Sequence, residues 1–191
     1  MGRDHSIASN PVAVQQAEER NMCRSGKYLT FLLAEQEYGI EIFKVIEIVG
    51  LQPITPVPNS SPHIRGVINL RGTIIPVVDV RIKFGLPEPT MTDNTCIIIV
   101  CTNELQVGII VDKVYEVLFI DQNDITDIPA FDASVNTDYI LGIGKKESKI
   151  TLLLDIDKVL ASQSTNNGGG TLTSVLAFKN ELENDLKKQK E

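Results

Sequence analysis

The chain has 191 residues, 42% of them hydrophobic, with a formal net charge of -7. That length suits one compact domain of ordinary size or two small ones in contact, and the acidic balance argues against a general nucleic-acid binder, which carries a basic face. No stretch approaches the run of about 18 apolar residues that spans a membrane, and the N-terminus has no apolar core of a signal peptide, so neither membrane insertion nor secretion is expected.

Residues 1–26 are polar and irregular and are expected to form a flexible N-terminal segment. Tyr28 to Leu33 reads as a strand, Glu35-Gln36-Glu37 as a polar turn and Tyr38 to Ile42 as a second strand. Phe43 to Val49 mixes helical and strand periods and is read as a helical turn leading into a strand. Pro53, Pro56 and Pro58 exclude a central strand, so this stretch is an extended connector at a sheet edge rather than an SH3 ligand. Asn59 to Pro62 reads as a turn that caps a short helix at His63 to Arg65.

Gly66 to Gly85 holds two β-branched runs, Val67-Ile68 and Ile74 to Val80, around the tight turn Asn69-Leu70-Arg71-Gly72. Gly supplies positive φ in such a reversal. Leu86 to Asn94 is a loop, followed by strands at Thr95 to Cys101, Gln106 to Asp112 and Val114 to Phe119. Asp121 to Ile128 carries acidic and amide residues at the spacing of a helix start, and Tyr139 to Ile143 and Ile150 to Ile156 are the last strands. Asp157 to Ala161 closes the domain with a helical turn. Residues 162–170 are a linker by composition. In 171–191, Leu172, Val175, Phe178, Leu182 and Leu186 recur at spacings of three and four, the pattern of an amphipathic helix.

The chain contains a duplication. Gly39 to Val49 (GIEIFKVIEIV) matches Gly108 to Leu118 (GIIVDKVYEVL), and Ile74 to Phe84 (IIPVVDVRIKF) resembles Ile150 to Leu160 (ITLLLDIDKVL). The offsets are 69 and 76, so the second copy carries about seven extra residues. Two β-units of this size each bury a limited core and should lie against one another, leaving a groove between them. Many short strands with Gly and Pro turns favour small barrels over one large sheet. The turn at Asn69 to Gly72 is matched with Leu141 to Gly144 (LGIG), which lacks its charge.

Catalytic chemistry is not assembled by the sequence. His5 lies in the N-terminal segment, and His63 follows a proline in a turn, where a surface position is expected. Cys23, Cys96 and Cys101 match no zinc or CxxC spacing and read as ordinary thiols of a reducing cytoplasm. Asp155 and Asp157 could point to the same side of a strand, but a strand-end aspartate, Asp155 as the counterpart of Asp79, bonding the following turn is the reading taken. Neither a metal site nor a cofactor is expected. Recognition remains, with Glu47 and Arg71 as candidates for an ion pair in the seam, although Glu47 can equally be a solvated surface charge.

Four segments carry a family resemblance: EYGIEIFKVIEI at 37–48, HIRGVINLRGTIIPVVDVRIKFG at 63–85, VGIIVDKVYEVL at 107–118 and TDYILGIG at 137–144. From Tyr28 to about Ala161 the chain resembles the CheW family of bacterial chemotaxis coupling proteins. The resemblance implies a mainly β fold of two SH3-like five-stranded β-barrels packed together, with short helices, over residues 27–161. It implies binding without catalysis, in the cytoplasm at receptor arrays. The implied partners are the regulatory domain of the histidine kinase CheA and the cytoplasmic tip of methyl-accepting chemoreceptors. Carried over by position, the receptor groove comprises Val45, Glu47, Ile68, Asn69 and Arg71, and Gly66, Gly108 and Val117 contact the kinase or support that surface. A small-molecule sensor using the inter-barrel groove is the alternative, distinguished by a closed apolar cavity in place of an open groove.

Overall fold

The computed structural model describes residues 24–87, 91–102, 105–128, 139–146 and 149–161. The N-terminal segment up to residue 23, the linker and the amphipathic helix expected over 171–191 lie outside the described residues. Eleven strands are described: β1 (Gly26–Leu33), β2 (Gln36–Glu41), β3 (Val45–Gly50), β4 (Ile64–Leu70), β5 (Thr73–Asp79), β6 (Cys96–Thr102), β7 (Leu105–Val111), β8 (Lys113–Ile120), β9 (Ile125–Thr126), β10 (Ile140–Lys146) and β11 (Lys149–Leu154). Short helices α1 (Val80–Lys83) and α2 (Ile156–Ala161) follow β5 and β11, and 3₁₀ turns occupy Ile42–Lys44 and Gln122–Asp124.

The strands form a six-stranded sheet, β8-β1-β2-β11-β10-β9, and a five-stranded sheet, β3-β6-β7-β5-β4. This is the mainly β, two-barrel architecture that the sequence led us to expect, with the two-residue β9 added to one unit. The repeat offset carries β1, β2 and β3 onto β6, β7 and β8, and the longer offset carries β4 and β5 onto β10 and β11. Each sheet therefore takes a hairpin from one copy, β1–β2 or β6–β7, and its remaining strands from the other: four in the six-stranded sheet and three in the five-stranded one. The joints are the two parallel pairings, β2 with β11 and β5 with β7. The two β-units are not successive halves of the chain.

The second sheet closes through the proline-rich connector. Thr55 N–H donates to Val67 O at 2.8 Å and Val67 N–H donates to Thr55 O at 2.9 Å, an isolated bridge beside β4. In the first sheet β9 does the same for β10. Three apolar clusters result. Ile68, Ile75, Val77, Ile97, Ile99 and Ile110 fill one unit, and Tyr28, Ile120, Ile125 and Leu153 fill the other. The largest cluster lies between the sheets and draws Leu29, Phe31 and Ile40 from one and Val78, Ile98 and Ile109 from the other. Fully burying one such side chain is worth about 1.5–3 kcal/mol, against about 0–1 for an exposed ion pair. Shared apolar burial therefore holds the units together, and polar links only align them.

Three expectations are overturned here. Residues 63–65 do not form a capped helix: Ile64 begins β4, and His63 is buried, not at the surface. Its carbonyl accepts from Asp79 N–H at 2.8 Å, so a residue read as turn belongs to the ladder. Burial, aided by the Lys83 charge, holds the His63 imidazole below its ordinary pKa. Leu141 to Gly144 also proves to lie within β10, not in a turn. The longer offset pairs the Asn69–Gly72 turn with residues 145–148, because the extra residues of the second copy fall before β10.

Asp79 ends β5 and its counterpart Asp155 follows β11, and both cap the helices after them, whereas Asp157 lies within α2. Arg81 N–H donates to Asp79 Oδ1 and Lys158 N–H to Asp155 Oδ1, each at 3.1 Å. Asp79 is fully buried, and burial pushes its carboxyl above the usual range, opposed by the N–H groups of Arg81 and Ile82 and by the Arg65 and Arg81 charges. A carboxyl with a raised folded-state pKa contributes stability at low pH and loses it as pH rises through that pKa. Asp79→Asn should therefore gain stability relative to the parent as pH rises from about 4, the ordinary aspartate value, toward neutrality. Urea denaturation of both proteins across that range checks the sign.

Candidate functional site

The candidate site begins with the β4–β5 hairpin. Leu70 pairs with Thr73, which leaves Arg71 and Gly72 as a two-residue turn. Both have positive φ, 53° and 89°, the signature of a type I′ reversal. Such a turn favours Asn, Asp or Gly at its first position. An arginine held in the left-handed region costs roughly 1–2 kcal/mol, so local backbone preference does not explain Arg71. Asn69 supports the turn, its Oδ1 accepting from Gly72 N–H at 2.8 Å.

Arg71 Nη2 lies 3.1 Å from Glu47 Oε2, with the arginine side chain 79% exposed and the glutamate 27%. The expected ion pair is therefore formed, but within one unit. β3 and β4 are the two edges of the five-stranded sheet, so the pair bridges those edges rather than the two units. Its exposure limits its worth to about 0–1 kcal/mol and leaves the guanidinium open to a partner carboxylate.

The other expected residues separate by burial. Ile68 is 2% exposed and packs in the core of this unit, and half-buried Val45 packs against the central core. Glu47, Asn69 and Arg71 are the members of the expected groove that reach the surface. Gly66 has φ 140°, and a Cβ there would sit 2.1 Å from Thr55 O, against the connector bridge. Gly108 lies in the core, where a Cβ would meet Ile97 Cγ2 at 2.7 Å. Both glycines are fixed by packing. Val117 is exposed on β8, between exposed Tyr115 and Phe119.

Sequence reading missed the extent of that apolar face. Tyr115, Val117 and Phe119 form one exposed stripe on β8, an edge strand that among the described residues pairs with β1 alone. On β3, the repeat counterpart of β8, Ile46 and Ile48 are exposed, with Phe43 and Leu51 beside them in sequence. The signal was present in the apolar residues of 43–49, which occupy both faces of a half-buried strand. The described residues thus present two related apolar strand faces and the charged tip of the β4–β5 hairpin.

The CheW-like domain profile matches residues 27–164. The chain is 38% identical over 137 residues to the chemotaxis protein CheW of Klebsiella aerogenes, covering 72% of this chain and 82% of that protein. It is 35% identical over 144 residues to the chemotaxis protein CheW of Bacillus subtilis, covering 74% and 90%. Among solved structures it resembles the scaffolding protein TtCheW from Thermoanaerobacter tengcongensis, with TM-score 0.67 and 35% identity, over 75% of this chain and 97% of that one.

The two glycines should respond differently to a methyl group. Gly66→Ala meets backbone at a positive φ and should destabilise the fold by about 2–4 kcal/mol. Gly108→Ala meets a side-chain methyl that can shift, and should cost about 1–2 kcal/mol. Thermal unfolding of both variants checks the order.

Proposed function

The chain belongs to the CheW-like family, and from that premise we propose that it is a non-catalytic adaptor linking chemoreceptors to the kinase CheA in bacterial chemotaxis. The Arg71–Glu47 tip is the receptor-facing site. Receptor tips are helical hairpins, and a guanidinium on a rigid turn can bond a helix-borne carboxylate in a fork. The exposed β8 stripe around Val117 is the face for the CheA regulatory domain, with Gly66 and Gly108 supporting the strands behind the surfaces. An apolar stripe on an edge strand suits packing against another β-domain. The protein works in the cytoplasm, at receptor arrays on the inner face of the membrane.

The observation that carries this reading is Arg71 itself. It occupies a turn position that its backbone disfavours and makes a 3.1 Å ion pair too exposed to repay that cost. A side chain retained against local preference points to use by a partner. Its exposure also favours an open recognition surface over a closed small-molecule pocket.

Arg71→Asn separates the roles. It should leave stability unchanged or raise it by up to about 1 kcal/mol, because Asn suits the turn. Binding to a receptor cytoplasmic fragment should weaken by about tenfold, ~1.4 kcal/mol, with CheA binding retained. Val117→Asp should show the converse pattern. Isothermal titration with each partner tests both, and failure of the parent protein to bind either at on the order of tens of micromolar would end the adaptor reading.

A further inference from the structure

β3 carries Glu47, and among the described residues it is bonded in the ladder on one side, to β6. Its register shifts between Val45 and Glu47, so a bulge sets the direction of the Glu47 side chain. The root of β3 is Lys44, which closes the preceding 3₁₀ turn. Lys44 Nζ lies 2.5 Å from Asp157 Oδ2. The other oxygen of that carboxylate, Oδ1, accepts from Thr102 Oγ1. Thr102 is fully buried and ends β6, the strand beside β3. One carboxylate therefore grips both strands of the β3–β6 ladder at the same end.

Asp157 belongs to the other unit. It sits in the first turn of α2, which follows β11 and is fixed by buried Ile156, Val159 and Leu160. Burial pushes its carboxyl up, but the bonds from Lys44 and Thr102 prevail and hold it below the usual range. The helix of the first copy makes a related contact with reversed charge. Arg81 is the repeat counterpart of Asp157, and its Nη2 lies 2.6 Å from Asp112 Oδ2, immediately before β8. Each helix thus clasps the root of a strand with an exposed apolar face.

We infer that Asp157 is a positioning residue for the receptor-facing site: through Lys44 and Thr102 it fixes the start of β3, and through the adjoining bulge it aims Glu47 at Arg71. This rests on the adaptor reading for what the site binds, but not for the geometry. It makes recognition at one unit depend on a helix packed in the other.

The test uses the full chain with Asp157→Asn, which keeps an acceptor for Thr102 and removes the charge that holds Lys44. Carbon NMR of the Glu47 side-chain carboxyl is recorded first, without a partner. Its chemical shift should change in Asp157→Asn and in Lys44→Met. A receptor cytoplasmic fragment should then bind Asp157→Asn about three- to tenfold more weakly, a coupling of ordinary size for contacting networks. That loss should vanish in a Glu47→Gln background, and binding to the CheA regulatory domain should stay within about twofold. The inference is overturned if the Glu47 signal is unmoved by both substitutions, or if Asp157→Asn weakens receptor binding equally with and without Glu47. If the parent chain binds no receptor fragment, the adaptor reading fails and the Glu47 signal alone decides the clasp. Should Asp157→Asn not fold, Lys44→Met carries the same measurements.

Discussion

The constraint on which this structure depends is the reciprocal exchange of strands between two repeats. β2 lies parallel to β11 and β5 parallel to β7, and each pairing joins strands from different copies. Neither copy can complete a sheet by itself. The central core follows from this, because Phe31 and Ile40 of one sheet meet Ile98 and Ile109 of the other in a single cluster. A chain assembled in this way must close long loops before its sheets are complete, which slows folding but leaves no free-standing half.

The exchange also explains how the surface is arranged. β3 and β8 are counterparts, each an edge strand beside the first strand of the other copy, and each shows apolar residues to solvent. The helices behind them reach across with opposite polarity, Asp157 to Lys44 and Arg81 to Asp112. Both pairs are partly buried, and each ties a helix to the start of a strand. Their physical effect is alignment, which is what a protein that works by presenting surfaces requires. In the first copy, the Arg71–Glu47 pair also links the two edges of its own sheet.

Much of this was legible in the sequence. Alternating β-branched runs marked most strands, and the recurrence of Gly39 to Val49 at Gly108 to Leu118 revealed the duplication. Strand exchange was not legible, because a repeat fixes which segments are alike and says nothing of which pair. His63 was misread because a preceding proline looks like a helix start, whereas its carbonyl serves the ladder to Asp79. The counterpart of the Arg71 turn was misplaced because one offset does not hold across the insertion before β10. The Glu47–Arg71 ion pair was legible from opposite charges and from the hairpin position of Arg71. The burial of Ile68 and Gly108 was not, since packing and recognition select the same apolar and small residues.

The adaptor account is tested most directly by reconstituting CheA with membranes containing a chemoreceptor and measuring kinase autophosphorylation with and without attractant. The account predicts that attractant controls the kinase only when this protein is present, with control saturating as the protein matches the kinase in amount. Receptor control of equal size without the protein, or none with it while both partners are shown to bind, would contradict the account.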